Sequence, residues 1–237
     1  MDLPFLVLAV LFWLPGLAIV ALRPDLRRPV ARMAVASLPF AFTELLFYPT
    51  YWQPRFLFDL VHVVGFGVED VLFVTGLAAF TSTAYVFTTR RVFVARGAWS
   101  WPGVAKRGLG AIAGVFLIVG ILALLDVPMI YGSCLIMVAF SAAMIAQRRD
   151  LGVPGLLGAL LTTGLYTGLC LIFGALLPGI FELAWNTDAF LNRFVLGVPV
   201  EELMYGFCAG LAATVFYPWA FDLDLAPMAP RPLADAH

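Results

Sequence analysis

The sequence predicts an all-α integral membrane protein with seven transmembrane helices. Of its 237 residues, 62% are hydrophobic and only 12% are charged, whereas soluble domains are about half apolar and about a quarter charged. Seven apolar stretches are long enough to cross the hydrocarbon core as helices, which takes about 20 residues each. The basic residues fall almost entirely into alternate connections between these stretches, which is typical of a multi-pass protein of the cell membrane.

Each predicted span is an apolar stretch bounded by polar or turn-forming residues. The spans cover residues 3–22, 30–48, 68–88, 108–125, 128–146, 155–177 and 194–220. The first lacks a basic leading region and a small-residue cleavage site, so we expect a retained helix rather than a signal peptide. Prolines within spans, such as Pro39, are compatible with membrane helices because neighbouring helices satisfy the freed backbone. The proline-rich segment after Trp219 is expected to be unstructured.

The distribution of basic residues predicts the orientation. Twelve of the fourteen Lys and Arg residues lie in the connections after spans one, three and five or after span seven. Only Arg55 and Arg193 lie in the opposite connections. The positive-inside rule therefore predicts an N-terminus outside the cell and a C-terminus in the cytoplasm.

Composition and spacing exclude several functional classes. A net charge of −1 leaves no basic surface for phosphates, so no nucleic-acid partner is expected. The single lysine, Lys106, lies in a connection, which excludes a retinal Schiff base. No paired aspartate motif for Mg²⁺ and a diphosphate lies within a span. Cys134, Cys170 and Cys208 follow no metal-ligand spacing and are expected to be packing residues. We therefore expect neither a metal nor an organic cofactor.

Five acidic residues lie within or at the edge of the spans: Glu44, Glu69, Asp70, Glu201 and Glu202. Such residues cost about 2.5–3.5 kcal/mol each on insertion scales and usually have a function. The predicted topology puts all five within about two or three helical turns of the outer surface. Acids from three spans at one depth predict a site there. The alternative is that they bond neighbouring helices or the N–H groups at helix starts.

The sequence repeats itself around the two acidic pairs. Residues 65–79 are GFGVEDVLFVTGLAA, and residues 197–213 are GVPVEELMYGFCAGLAA. A tryptophan, Trp52 or Trp185, precedes the first acid of each pair by 17 or 16 residues. Repeats related by an axis along the membrane normal place a site at their interface. We expect one membrane domain over 1–237, with repeats at 1–90 and 127–222 and a connector helix at 108–125.

With these motifs the chain resembles the integral-membrane lycopene cyclase domain family, whose members occur as two-subunit or fused forms. The resemblance covers essentially the whole chain and implies two homologous three-helix halves. It rests on Pro199-Val200-Glu201-Glu202, which is similar to the family's PxEE element, on the counterpart Val68-Glu69-Asp70, and on Tyr51-Trp52-Gln53-Pro54. Gly67 stands where that element has proline, so the two halves are not equivalent.

The resemblance implies a carotenoid end-group cyclase acting on a hydrophobic polyene in the bilayer. In this redox-neutral reaction an acid protonates the terminal double bond, the chain closes into a six-membered ring, and a base removes a proton. Burial keeps a carboxylic acid protonated, and aromatic faces stabilise a cation where water is absent. Glu201 is the expected acid, with Glu69 or Glu44 as base or second acid. The expected supporting residues are Glu202, Asp70, Tyr205, Phe73, Trp52 and Tyr48.

A second hypothesis is a non-catalytic isoprenoid- or carotenoid-binding or transport protein built on the same repeat. In that case the acids bond helices together or relay protons. The lipid bilayer and a polyene or isoprenoid are partners under both hypotheses, and both are compatible with a homo-oligomer. Expression in bacteria that accumulate lycopene, followed by pigment extraction, separates an enzyme from a binding protein.

Overall fold

The computed structural model describes residues 3–97 and 100–228, and this part contains seven helices long and apolar enough to cross a membrane. They are α1 Pro4–Leu22, α2 Pro24–Phe47, α3 Val68–Thr88, α4 Trp101–Leu124, α5 Met129–Gln147, α6 Arg149–Leu176 and α7 Val200–Ala220. The predicted number of spans is confirmed. Helices α2, α4 and α6 begin six or seven residues earlier than expected, because their first turns are polar and an apolar stretch marks only the part of a helix within hydrocarbon.

Prolines mark most helix starts, because proline fixes φ and lacks an N–H that would be unpaired in the first turn. These prolines are Pro4, Pro24 and Pro102 in the first turns of α1, α2 and α4, and Pro128 and Pro199 just before α5 and α7. Within α2, the α-helix Arg27–Ser37 changes to a 3₁₀ segment at Leu38–Thr43, which contains Pro39. The helix Glu44–Phe47 follows and carries the first intramembrane acid.

Glycine allows two pairs of helices to approach closely. A β-carbon on Gly16 of α1 would lie 2.9 Å from Cβ of Ala79 in α3. A β-carbon on Gly210 of α7 would lie 2.5 Å from Cβ of Thr162 in α6. Small residues at such contacts are typical of membrane helices, which associate through close packing rather than through the hydrophobic effect.

Helix α4 lies at the periphery of the bundle. It packs mainly against α5, and Val104 and Val119 are the buried residues along its length. Leu109, Leu117 and Leu124 are largely exposed. In a bilayer these leucines meet lipid tails of the same polarity, so the exposure of this helix has little cost.

The described part of the chain also contains two small antiparallel sheets, which were not expected. Their strands are β1 Arg91–Ala95, β2 Phe194–Val195, β3 Val198–Pro199 and β4 Leu223–Pro227. Strand β1 pairs with β4, and β2 pairs with β3. The expectation of an unstructured segment after Trp219 is therefore wrong as far as β4, because backbone pairing with β1 orders this segment. The later part of that segment, 229–237, lies outside the described residues.

The β1–β4 sheet collects basic side chains at one end of the bundle. Arg91 Nη1 donates to the carbonyl oxygen of Leu225 at 2.7 Å, and Arg148 Nη2 donates to that of Leu223 at 3.0 Å. The Asp150 carboxylate, 2.6 Å from Arg148 Nη2, raises the pKa of that guanidinium. Because β1 follows α3 and β4 follows α7, the first turns of α3 and α7 lie at the opposite end of the bundle.

Candidate active site

The acidic pairs lie in the first turns of α3 and α7, as Glu69-Asp70 and Glu201-Glu202. Free backbone N–H groups at a helix start favour carboxyl groups there. Asp70 Oδ2 accepts such a bond from the N–H of Gly67 at 2.6 Å. Adjacent residues on a helix point about 100° apart, so the two members of each pair face different surroundings.

Three of the five acids line one cavity of about 60 Å³, which we call the carboxyl cavity. Glu44 reaches it from α2, Asp70 from α3 and Glu202 from α7, and all three are buried. Its aromatic lining residues are Phe40, Phe47, Tyr51, Trp52, Phe73, Tyr166, Trp185 and Tyr205. Carboxyl groups and aromatic rings thus line the same space.

Glu202 is held by donors from three separate segments. Tyr51 Oη and Trp185 Nε1 each donate to Glu202 Oε1 at 2.8 Å, and Tyr166 Oη donates to Oε2 at 2.5 Å. Burial and the neighbouring Glu202 carboxylate raise the pKa of Tyr51 far above its usual range. The Tyr51 phenol therefore stays protonated and remains a donor. The orientation of the Glu202 carboxyl group is fixed at both oxygens.

Glu44 and Asp70 form a carboxyl pair across the cavity. Both side chains line the cavity, and their two carboxyl groups lie close enough to interact. A hydrogen bond between two carboxyl groups requires a proton on one of them, because an ionised carboxylate only accepts. Trp52 Nε1 donates to Glu44 Oε1 at 2.8 Å and orients the pair from the other side.

Glu69 and Glu201 are buried but do not line the carboxyl cavity. Each accepts a hydrogen bond from a loop: the N–H of Leu57 donates to Glu69 Oε1 at 2.5 Å, and that of Leu191 donates to Glu201 Oε1 at 2.9 Å. Tyr131 Oη also donates to Glu201 Oε1 at 3.1 Å. Glu69 Oε2 is buried and has no hydrogen-bond partner among the residues that the structure describes. Both residues attach loops to helix starts.

Trp52 and Trp185 lie side by side at the carboxyl cavity. An isolated antiparallel bridge joins their backbones, and their ring centroids are 5.2 Å apart. Two further backbone hydrogen bonds, of 2.7 and 2.8 Å, flank this bridge. Since one indole donates to Glu44 and the other to Glu202, the tryptophan pair connects the acid of α2 with that of α7.

A larger cavity of about 210 Å³ adjoins the carboxyl cavity, and we call it the apolar cavity. It lies between α2, α3, α4, α5 and α7. Five residues line both cavities: Phe40, Thr43, Phe47, Val74 and Tyr205. Four hydroxyl groups line the apolar cavity besides that of Tyr205, and each donates to a carbonyl of its own helix: Ser37, Thr43, Thr81 and Ser133. Because these protons are already bonded, the cavity suits a hydrocarbon.

The structure divides the residues expected at the site into two groups. Those that line the carboxyl cavity are Glu44, Asp70, Glu202, Trp52, Phe73 and Tyr205, and those that do not are Glu69, Glu201 and Tyr48. Tyr48 Oη is instead hydrogen-bonded to His62 Nε2 at 3.2 Å on an exposed surface.

Three cavity residues that bind Glu202 were not predicted. Tyr51 directly precedes Trp52 in the Tyr51-Trp52-Gln53-Pro54 segment, so the motif contained a signal for it. Trp185 marked the repeat but was not assigned to the site. Tyr166 has no signal of its own, because its position depends on the crossing of α6 and α7, where a β-carbon on Gly206 would lie 2.9 Å from the Tyr166 ring.

Within residues 3–97 and 100–228, no three His, Cys, Asp or Glu side chains group as ligands for a metal ion. Cys134, Cys170 and Cys208 are buried and unbridged in the same part of the chain. The polar side chains that line the carboxyl cavity are its carboxyl groups, phenols and indoles and the Thr43 hydroxyl.

The comparisons with known proteins bear on the second half of the chain. A protein-family model described as lycopene cyclase matches residues 128–220, which contain α5, α6 and α7 and so Tyr166, Trp185 and Glu202. No curated protein and no solved structure gives a significant match. This match confirms the resemblance for residues 128–220, which contain Pro199-Val200-Glu201-Glu202, and it supports a lycopene cyclase family assignment.

Proposed function

We propose that the protein is a carotenoid end-group cyclase of the lycopene cyclase type, which works by acid–base chemistry within the membrane. The observation that carries this proposal is the junction of a buried carboxyl cavity with a larger apolar cavity. The family match over residues 128–220 supports the same activity. Enzyme sites of this kind combine a mostly apolar pocket with a few convergent polar groups.

In this proposal the polyene lies in the apolar cavity with its terminal double bond at the carboxyl cavity. Along α7 the apolar cavity is lined from Tyr205 to Phe216, which corresponds to about 16 Å of helix. The rings of Phe47 and Tyr205, with centroids 6.5 Å apart, line the junction of the two cavities. A chain end that passes beside these rings meets the three carboxyl groups.

The proton shared by Glu44 and Asp70 is the proposed source of the acid. It moves to one carbon of the terminal double bond and leaves a cation on the other. The π electrons of a double bond farther along the chain then form the ring-closing carbon–carbon bond, which moves the cation into the ring. Trp52, Phe73 and Tyr205 present aromatic faces that stabilise the cation.

Glu202 is the proposed base. It accepts a proton from a carbon next to the ring cation, and the electrons of that C–H bond restore a double bond. Its three donors fix the carboxyl group in place before the reaction, so this group need not reorganise when the positive charge develops in the ring. Return of the proton to the Glu44–Asp70 pair resets the site, and the reaction is an isomerisation without a redox partner.

The proposal changes the roles expected from the sequence. Glu201 and Glu69 become loop anchors. Glu44 and Asp70 donate the proton, and Glu202 accepts one. The matched contacts from Leu57 to Glu69 and from Leu191 to Glu201 support the two proposed repeats. The basic end of the bundle, opposite the acids, supports an outward-facing carboxyl cavity.

The test is pigment analysis in bacteria that accumulate lycopene, with two neighbouring acids compared. Glu202→Gln should abolish cyclised product, because an amide is not a base. Glu201→Gln keeps an oxygen that accepts from Leu191 and Tyr131, so cyclised product should persist. Membrane abundance of each variant, measured by immunoblot, is the control. Cyclised product from Glu202→Gln, or its loss in an abundant Glu201→Gln variant, would contradict the assignment.

The second candidate is a non-catalytic carotenoid-binding or transport protein. The observation that favours it is the size of the apolar cavity, which accounts for binding without any chemistry. Pigment analysis of lycopene-accumulating bacteria that express the wild-type chain distinguishes a cyclase from a binding protein. Lycopene that copurifies with the protein, unchanged despite good expression, would favour the binding protein.

A further inference from the structure

Five helices surround the apolar cavity, in the order α2, α3, α7, α5 and α4. Backbones approach closely at four of the junctions: α2 with α3, α3 with α7, α7 with α5, and α5 with α4. Over the described residues, no comparably close approach joins α4 to α2. We call this fifth junction the α2–α4 seam.

Side chains close the seam. Phe40 of α2 and Phe116 of α4 stack with their ring centroids 5.5 Å apart and an interplanar angle of 14°. Nearer to the carboxyl cavity, Phe47 packs against the cluster that contains Val119. Phe40 also lines both cavities, so the stacked pair separates the cavities from the bilayer.

Helix α4 is suited to outward movement. Its buried residues are few, and Gly110 and Gly120 have open space where a β-carbon would lie. Four of its residues form the outer wall of the apolar cavity: Ala111, Ile112, Val115 and Val119. Since lipid tails are as apolar as these side chains, separating α4 from α2 exchanges protein contacts for lipid contacts at little cost.

We propose that the α2–α4 seam is the portal through which a polyene passes between the bilayer and the apolar cavity, and that the Phe40–Phe116 stack holds it closed. This inference rests on the proposed function, because it names the route of that substrate. Opening any of the other four junctions separates closely packed helices. A route through the seam also keeps the hydrocarbon out of water.

The length of the cavity agrees with a lateral portal. The lining from Tyr205 to Phe216 spans about 16 Å of helix, whereas the hydrocarbon core of a bilayer is about 30 Å thick. A polyene as long as the membrane is thick therefore has one end inside the protein and the remainder in lipid. A lateral opening allows both at once.

The test is a reversible crosslink across the seam, in protein reconstituted into lipid vesicles. The double variant F40C/F116C is treated with a cleavable thiol crosslinker, and polyene is added in the same lipids. The readouts are cyclised product and quenching of tryptophan emission by bound polyene. We expect both to fall about tenfold or more on crosslinking, and to recover when the crosslinker is cleaved.

Two controls accompany the crosslink. The single variants F40C and F116C, treated in the same way, account for reaction at the native cysteines. The double variant L122C/G132C ties α4 to α5 instead, where Leu122 Cδ1 lies 3.2 Å from a β-carbon built on Gly132. Since this side of α4 stays closed during passage, crosslinking there should leave both readouts unchanged.

Equal binding before and after crosslinking of F40C/F116C would overturn the portal. A second outcome is that crosslinking lowers polyene binding while even the wild-type chain makes no cyclised product. This result would support the portal and contradict the cyclase. Phe116→Ala removes one ring of the stack without any crosslink, and it should quicken tryptophan quenching after polyene is added. Slower quenching in that variant would also count against the portal.

Discussion

At the scale of single residues, the neighbouring acids Glu201 and Glu202 show how one helical step separates two roles. Glu201 accepts from a loop N–H and from Tyr131, whereas Glu202 accepts from two phenols and an indole within the carboxyl cavity. Their sequence context is the same, and the difference arises from which helices pass beside each face of α7. In the proposed mechanism, the role of each acid therefore depends on the donors around it as much as on the acid itself.

The donors to Glu202 provide a residue-scale prediction. Tyr166→Phe removes the phenol at Glu202 Oε2 and leaves a buried carboxyl oxygen unpaired, which costs about 1–3 kcal/mol. We expect a lower melting temperature of the detergent-solubilised protein and slower cyclisation. The matched variant is Tyr131→Phe, which removes a donor to Glu201 and should leave cyclisation near normal. Equal effects of the two variants on cyclisation would contradict the assignment of Glu202.

The carboxyl pair provides a second prediction at this scale. In Asp70→Asn the amide N–H can donate to Glu44, but the amide has no acidic proton to transfer. The proposed hydrogen bond is therefore kept, and the proposed shared proton is removed. We expect a folded protein of near-normal melting temperature that makes no cyclised product. The measurement is pigment analysis together with thermal unfolding. Normal product from this variant would show that the proton comes from another group.

At the scale of elements, close contact between α6 and α7 positions the donors and the acid relative to each other. Gly206 and Gly210 of α7 face Tyr166 and Thr162 of α6 without room for a β-carbon. Tyr166 and Glu202 are attached to these same two helices. A change that separates the helices should therefore disturb both stability and chemistry.

This contact can be tested with matched glycine substitutions. Gly210→Ala places a methyl group 2.5 Å from Thr162 Cβ, and overpacking of this kind costs about 1–3 kcal/mol. Gly110→Ala on α4 meets no atom within 4 Å and gains helix propensity of about 1 kcal/mol. We expect the first to lower the melting temperature and the second to keep or raise it. The opposite order would contradict the packing described for α6 and α7.

Much of the element scale could be predicted from the sequence, because the spans are apolar runs bounded by proline or charge. The repeated acidic pairs also indicated two helix starts that contribute an acid to the candidate site, through Asp70 and Glu202. Two things required the three-dimensional arrangement. The choice between Glu201 and Glu202 depends on helix rotation, and Tyr166 is brought to the site by a crossing of two helices. The β1–β4 sheet pairs segments more than a hundred residues apart, which no local pattern encodes.

At the scale of the whole molecule, the acidic pairs of α3 and α7 lie at the opposite end of the helix bundle from the sheet that binds Arg91 and Arg148. The proposed orientation puts the loop with Gln53 outside the cell and the end of α3 with Thr88 in the cytoplasm. Both residues are exposed, whereas the native cysteines are buried. Gln53→Cys should react with a membrane-impermeant maleimide on intact cells, and Thr88→Cys only after permeabilisation. The reverse pattern would invert the topology.

The β1–β4 sheet also has a consequence for how the chain is made. Its five-residue ladder joins the end of α3 to the end of α7, from Arg91 opposite Pro227 to Ala95 opposite Leu223. A break in the polypeptide between β1 and α4 would leave each fragment with one strand of this ladder and with one tryptophan of the Trp52–Trp185 bridge. We expect two such fragments, expressed together, to associate through these contacts at both ends of the bundle.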